Sequence, residues 1–339
     1  MTCTCETSST LQRCRTDSIS PPRRLTFSWF DYLLAFAEWI NAFGNARAIA
    51  PGLYFTGAAP DPSVPVLVTC NYHLTVFLLW RTLRGRNVRV LVIDTRGINV
   101  WCSAGKGQFS ATEILRQVDR CDRADLSFEG HVRLVLPKLS LSGVKLSELR
   151  AAGVQPVIGP IYRHDLPRYL DERTFPDRRQ DKYRFDLRDR LFILVPSVVQ
   201  FSVYMAVLSL LLLGWNLLYP SFSAWTPLAY GLGLSVPYIV LFPRLPSRQF
   251  AIKGLVTSAL ALAALTGWWL LRGTWEAWTF AFGAVLLASL GLWFGLYFTG
   301  NSGVSNYTLV KREIVRWLPA AALGLAGSLM LAVVKGGLR

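Results

Sequence analysis

The segment "VRVLVIDTRGINVWCSAGK", residues 88–106, joins two kinds of structure in nineteen residues. Val88 to Asp94 is a short apolar run rich in Val and Ile, the pattern of a strand buried on both faces. From Asn99 the pattern changes. Asn99 is a favoured N-cap, and the turn it opens sets Cys102 beside the bulky Trp101 and follows it with small Ser103, Ala104 and Gly105. Small residues after a thiol let the backbone lie close to a flat partner, and a buried structural cysteine has no use for them.

Working outward, "PVLVTC" (65–70), "VRLVLP" (132–137) and "QPVIG" (155–159) repeat the apolar, β-branched pattern of residues 88–94. Helical periodicity fills the gaps at 73–84, 110–121 and 144–152, the second opened by the S-x-x-E capping box of Ser110 and Glu113. Alternating strands and helices predict a Rossmann-like α/β domain with a mostly parallel sheet, over 47–172. Ligands of such sheets bind beyond the carboxyl ends of the strands. The Cys102 turn follows one of those ends.

Of the 339 residues, 52% are hydrophobic, and ionisable groups are sparse beyond Leu191. Five apolar stretches, 192–218, 225–243, 252–271, 277–298 and 315–335, each approach the length of a bilayer span. They predict an all-α domain of five transmembrane helices over 191–339. Arg244, Arg248 and Lys253 separate the second and third stretches, and Lys311, Arg312 and Arg316 the fourth and fifth. By the positive-inside rule the α/β domain faces the cytoplasm and the C-terminus lies outside the cell (inner) membrane. All six cysteines precede the apolar half and no secretory signal stands before them, which fits a reducing compartment. No Asp, Glu, Lys, Arg or His stands in the middle of a stretch, which favours an anchor over an ion transporter.

Residues 1–25 read as a disordered tail and the charged run 173–190 as a juxtamembrane linker suited to an anionic leaflet. Between tail and domain, 26–46 form an amphipathic helix with a wide apolar face. It either lies on the membrane, docks on the membrane helices, or packs in the soluble core. The net charge of +15 is met by the membrane topology, and no aromatic-basic or zinc-finger pattern points to nucleic acid.

Gly105-Lys106-Gly107 is not a P-loop, because Val100 and Gly107 stand where that loop needs Gly and Ser or Thr. No CxxC pair exists to build an iron-sulfur cluster. What remains is Cys102 in a first helical turn with Arg96 and Lys106 nearby, a setting expected to favour thiolate. On residues alone two readings stand, a buried or merely reactive cysteine and a ligand to metal. Cys3 and Cys5 form a C-x-C pair near Cys14, read either as an Hg(II) bis-thiolate site or as idle tail residues, and Cys70 and Cys121 as packed thiols.

Residues 99–106, "NVWCSAGK", resemble the cap-helix signature N-(V/I)-W-C-A-(A/G)-G-K of the mercury-methylating corrinoid proteins, the HgcA family. "PGLYFTGAAPDPSVPVLVTCNY", "LVLPKLSLSGV", "VIGPIYRHDLPRYL" and the apolar C-terminal half extend the resemblance over most of 50–339. It implies a corrinoid-binding domain similar to that of the corrinoid iron-sulfur protein of the acetyl-CoA pathway. Cys102 would then be the lower axial ligand of cobalt in a cobamide (cobalamin-type) cofactor, in place of an Asp-x-His-x-x-Gly histidine, which this chain lacks. Asn99, Val100, Trp101, Ser103, Ala104, Gly105 and Lys106 would shape the cap. Thr69 and Asn71 would hydrogen-bond the corrin edge or else cap turns, and 136–143 would cradle the ring edge or nucleotide tail.

The activity implied is methyl transfer from a methylated cobamide to inorganic Hg(II), giving methylmercury. The partners implied are a small ferredoxin with two 4Fe-4S clusters (HgcB) as electron donor and a methyl-donating folate or pterin methyltransferase system. A methyl carrier of one-carbon metabolism and a non-catalytic ligand-binding membrane protein are the rival readings. Ser103 departs from the family's Ala, and its hydroxyl is expected to reach the Cys102 sulfur and weaken it as a donor.

Overall fold

The computed structural model describes residues 20–40, 47–172, 175–302, 304–305 and 307–338. Cys3, Cys5 and Cys14 lie outside the described residues, so the C-x-C reading is untouched by the fold. The chain divides into two compact units: Met1–Thr26 with Ala48–Gln180, and Phe27–Arg47 with Asp181–Arg339.

The elements begin with β1 (Arg23–Arg24), α1 (Trp29–Ile40), β2 (Gly52–Phe55), β3 (Val66–Cys70), α2 (His73–Thr82) and β4 (Arg89–Ile93). Then come α3 (Val100–Gly105), α4 (Ala111–Val118), α5 (Arg123–Leu126), β5 (Ser127–Phe128) and β6 (His131–Leu136). α6 (Leu146–Ala151), β7 (Val154–Ile158) and α7 (Leu166–Asp171) complete the α/β unit, to which every one of these but α1 belongs. The sheet order is β1-β2-β4-β3-β6, with β7 on β6 and β5 pairing the start of β6. β4, β3, β6 and β7 are parallel, with Thr69 opposite Val92 and Val66 opposite Leu134. Every residue of β3 and β4 is buried, which explains their unbroken apolar runs. Val66, Val68, Leu91, Ile93, Leu134 and Leu136 share one core with Phe109 and Ile114.

The four long strands and the three helices expected from sequence are all present, within a few residues of their expected ends. β2 was not legible because its four residues, Gly-Leu-Tyr-Phe, are too few to show a period. The start of the charged run also behaves differently from a linker. Phe175 buries its ring edge-on against Phe128, and the Arg178 N–H donates to the Ile158 carbonyl at 2.7 Å, so this piece folds with the sheet. One aromatic side chain outweighs the charges around it, because burying a Phe contributes ~1.5–3 kcal/mol.

The second unit holds α1 and α8 (Leu187–Leu218), α9 (Thr226–Leu241), α10 (Phe250–Arg272), α11 (Ala277–Asn301) and α12 (Tyr307–Gly337). Four of these, α8, α10, α11 and α12, are long and apolar enough to cross a membrane. α9 has 16 residues, a rise of about 24 Å against a hydrocarbon core of ~30 Å. It is therefore short for the fifth span expected from sequence.

Polar contacts near the helix ends fix the direction of each helix. Arg190 donates to the carbonyls of Ile239 and Val240, which puts the start of α8 beside the end of α9. Glu313 accepts from the N–H groups of Phe250 and Ala251, both at 3.0 Å, capping α10 from α12. Lys253 Nζ donates to the carbonyls of Phe242 (2.6 Å) and Leu245 (2.7 Å) at the same end. At the opposite end Lys335 pairs with Glu276 at 2.9 Å and Phe222 stacks on Phe282. All five long helices thus run alternately up and down, with their buried charges near helix termini.

The α10–α11 seam is set by glycine. A Cβ on Gly254 would stand 1.9 Å from the Gly291 carbonyl oxygen, so the two backbones touch. Gly254→Leu should therefore separate the pair and lower the melting temperature of the detergent-solubilised chain by at least 5 °C, about the effect of 1–2 kcal/mol. An unchanged melting curve would contradict the close-packed seam.

Candidate functional site

The site is built where β3 and β4 end. The loop after β4 turns through Arg96 (φ 56°) and Gly97 (φ 71°), two successive left-handed residues as in a type I′ turn. Such a turn needs an external brace, and Asn71, at the end of β3, supplies it. Its Oδ1 accepts from the N–H groups of Thr95 (3.0 Å) and Gly97 (2.9 Å) and faces the Thr95 hydroxyl at 2.9 Å. Its Nδ2 donates to Asp94 Oδ1 at 3.2 Å. Asn71 is 3% exposed and fully engaged, so it positions the loop. Glu113 braces the loop from the other side, because its Oε1 accepts from the Asp94 N–H at 3.0 Å. Its capping-box partner Ser110 does cap α4, accepting from the Glu113 N–H at 3.3 Å.

α3 follows, six residues long. Asn99 Oδ1 accepts from the Cys102 N–H at 2.9 Å, which is the N-cap its residue type promised. The Ser103 hydroxyl is buried and donates back to the Asn99 (2.7 Å) and Val100 (3.1 Å) carbonyls. This corrects the expectation that it would reach the Cys102 sulfur: a serine inside a helix bonds the preceding turn more readily than its neighbour's side chain. Ala104 packs against Gly143, where a Cβ would stand 2.6 Å from the Ala104 oxygen, so the 136–143 loop fits only with glycine there. Gly105 and Lys106 are exposed at the C-terminal end of α3, and Trp101 is half-buried.

Among the described cysteines, Cys70 and Cys121 are buried and Cys102 is half-buried. Burial pushes the Cys102 thiol above its ordinary value, against the opposing pull of the Asn99 hydrogen bond and the Lys106 charge. The expected bias toward thiolate is thus reversed in this state, because six residues of helix and one exposed lysine offset less than desolvation costs. Cys121 is pushed up to about 11, mainly by burial and then by Asp125.

Beyond the carboxyl ends of β3, β6 and β7 lies an apolar cavity of about 130 Å³. Thr69 and Val100 are the sequence-predicted site residues that line it. Leu136 and Pro137, from the 136–143 loop expected to cradle the ligand, line it as well, together with Thr75, Gly159, Ile161 and Arg163, which the sequence does not single out. They are ordinary loop and helix residues whose role shows only once the strands are side by side. Cys102 lies on α3, whose Val100 forms one wall, but is not itself in the lining. The cavity is smaller than the ~300–1,000 Å³ of pockets for drug-sized ligands. Among the described residues no group of three or more His, Cys, Asp or Glu is placed to hold a metal.

No family model matches the chain. It is 33% identical over 131 residues to the acetyl-CoA decarbonylase/synthase complex subunit gamma of Methanopyrus kandleri, covering 37% of this chain and 27% of that protein. It is 33% identical over 98 residues to the subunit of the same name from Methanocaldococcus jannaschii, covering 28% of this chain and 20% of that one. The chain therefore spans about a quarter or less of the length of these curated relatives.

Two outcomes follow from this geometry. Site-resolved alkylation should modify Cys102 faster than Cys70 or Cys121, with a rate that still climbs through pH 9, because a raised pKa keeps the thiolate fraction growing. A plateau below pH 8 would contradict it. Asn71→Ala leaves the Thr95 and Gly97 N–H groups buried without their acceptor, so it should destabilise the α/β unit by about 2–3 kcal/mol. It should also speed Cys102 alkylation, and a melting transition equal to the wild type would remove Asn71 as the brace.

Proposed function

We propose that the α/β unit binds a cobamide with Cys102 Sγ as the lower axial ligand of cobalt. We further propose that the chain is a membrane-anchored corrinoid-dependent methyltransferase whose acceptor is inorganic Hg(II). The observation that carries this reading is Cys102 within "NVWCSAGK" on a capped six-residue helix at the carboxyl edge of a parallel sheet. The likeness to acetyl-CoA decarbonylase/synthase gamma subunits supports the corrinoid part, since the same pathway is reached from the motif resemblance. The mercury part rests on the motif.

The residues present fit such a cofactor. The donor offered is the Cys102 thiol on a short helix, and the cavity lined by Val100 of the same helix is apolar. A cobamide bound here would supply methyl transfer to an electrophile, with the Cys102 thiolate as the group that would hold its cobalt and donate electron density to it. The protein's part is to deliver that thiolate. Cys102 sheds its proton on ligation, which Asn99 and Lys106 ease. Ser103 spends its hydroxyl on backbone carbonyls, leaving the sulfur undiminished as a donor. Asn71 and Glu113 hold the loop that leads into α3.

The α/β unit faces the cytoplasm in this reading, with α9 completing five alternating passes as a short span and the C-terminus outside. A low-potential ferredoxin with two 4Fe-4S clusters (HgcB) supplies electrons, and a folate or pterin system supplies methyl groups. Cys3 and Cys5 are proposed to hold incoming Hg(II). The gamma-subunit likeness favours a second reading, a methyl carrier of one-carbon metabolism with the same cofactor and another acceptor.

Protein loaded anaerobically with methylcobalamin and given thiol-bound Hg(II) should form methylmercury at least tenfold faster than Cys102→Ala, the mutant setting the background of free cofactor. Cofactor retained by both proteins, with equal methylmercury, would discard Cys102 as ligand. Cofactor retained by the wild type with no product above background would move the acceptor to one-carbon metabolism.

A further inference from the structure

α1 carries its polarity inside out. Its covered stripe is Asp31, Leu34, Ala35, Glu38 and Trp39, at helical spacing, and it includes both carboxylates. Its outward face is Trp29 (75% exposed), Phe30, Leu33 and Phe36 (58% exposed). A helix on an aqueous surface does the reverse, and a cluster of large apolar groups on one exposed face marks an interaction surface. The two inward carboxylates are used: Asp31 Oδ2 accepts from the Ser28 N–H (2.6 Å) and hydroxyl (2.9 Å), and Glu38 Oε1 accepts from the Arg47 N–H (3.3 Å).

The helix is seated by a defect in α8. Pro196 stands inside α8 and has no N–H, so the carbonyl four residues before it, that of Phe192, loses its helical partner. Trp39 Nε1 donates to that carbonyl at 3.0 Å, and the Trp39 ring lies 5.5 Å from the Phe192 ring. The junction lies in the second turn of α8, just past its charged opening residues Arg188, Asp189 and Arg190, where a spanning helix meets the headgroups. Leu191 and Val195 of α8 are exposed beside the same junction, continuing the apolar surface of a candidate span onto α1.

We infer that α1 is an interfacial membrane helix, docked on α8 through the carbonyl freed by Pro196, with Trp29, Phe30, Leu33 and Phe36 embedded in the lipid of that leaflet. Aromatic side chains are favoured at this depth. The inference rests on the spanning reading of α8. Its consequence is a second tether: the α/β chain from Ala48 to Gln180 is flanked at both ends by segments of the membrane unit.

The test is photo-crosslinking of the full chain in native membranes, with p-benzoylphenylalanine at Phe36 and, separately, at Leu33. Leu260 of α10, 57% exposed on a candidate span, is the lipid-facing reference, and exposed His131 of the α/β unit is the aqueous reference. Phospholipid adducts at positions 33 and 36, in yields within threefold of position 260 and at least tenfold above position 131, are expected. Adducts to a polypeptide at 33 and 36, with lipid at 260, would overturn the inference in favour of a protein partner. Lipid at 260 and yields at 33 and 36 no higher than at 131 would overturn it in favour of solvent. Failure at 260 as well would take down the spanning reading and this inference with it.

Discussion

The Asn71 side chain is the point on which the candidate site depends. One buried amide joins the end of β3 to the left-handed turn after β4, and that turn aims α3 across the carboxyl edge of the sheet. A six-residue helix has too few internal hydrogen bonds to hold its own position. Its place is fixed at the base by Asn71 and Glu113 and at the tip by the contact of Ala104 with Gly143. The base is polar and saturated, whereas the tip is a van der Waals contact.

The thiol on that helix sits between opposing forces. Burial favours the protonated form, while the N-cap and Lys106 favour the thiolate without prevailing. Such a group is quiet until a cation arrives to displace the proton. The helical unit shows a similar economy: Arg190, Lys253 and Glu313 are buried, yet each satisfies backbone groups exposed at helix ends. Their hydrogen bonds reduce the desolvation penalty, and all three lie near helix termini.

Much of this was legible in the sequence. Strands such as β4 (Arg89–Ile93) are fully buried, so composition reports them directly, and Asn99 and Ser110 announce helix starts by a chemistry that is local. The misreadings concern groups whose partners are distant in sequence or energetically balanced. Asn71 and Thr95 are 24 residues apart and meet only because β3 and β4 are adjacent. Glu113 reads from the sequence as a capping residue, but its carboxylate serves the β4 loop. The Cys102 thiol was judged by neighbouring charges, but burial, which sequence does not display, decides its protonation. The direction of α9 through the bundle is likewise set by Arg190, 49 residues before its partner Ile239.

Cobalt-edge X-ray absorption on anaerobic protein loaded with a cobamide, in buffer free of added thiols, tests the Cys102 assignment most directly. A cobalt–sulfur scattering path in the wild type that disappears in Cys102→Ala is the expected result. A shell of nitrogen and oxygen alone in the loaded wild type would contradict it and return Cys102 to the status of a structural thiol.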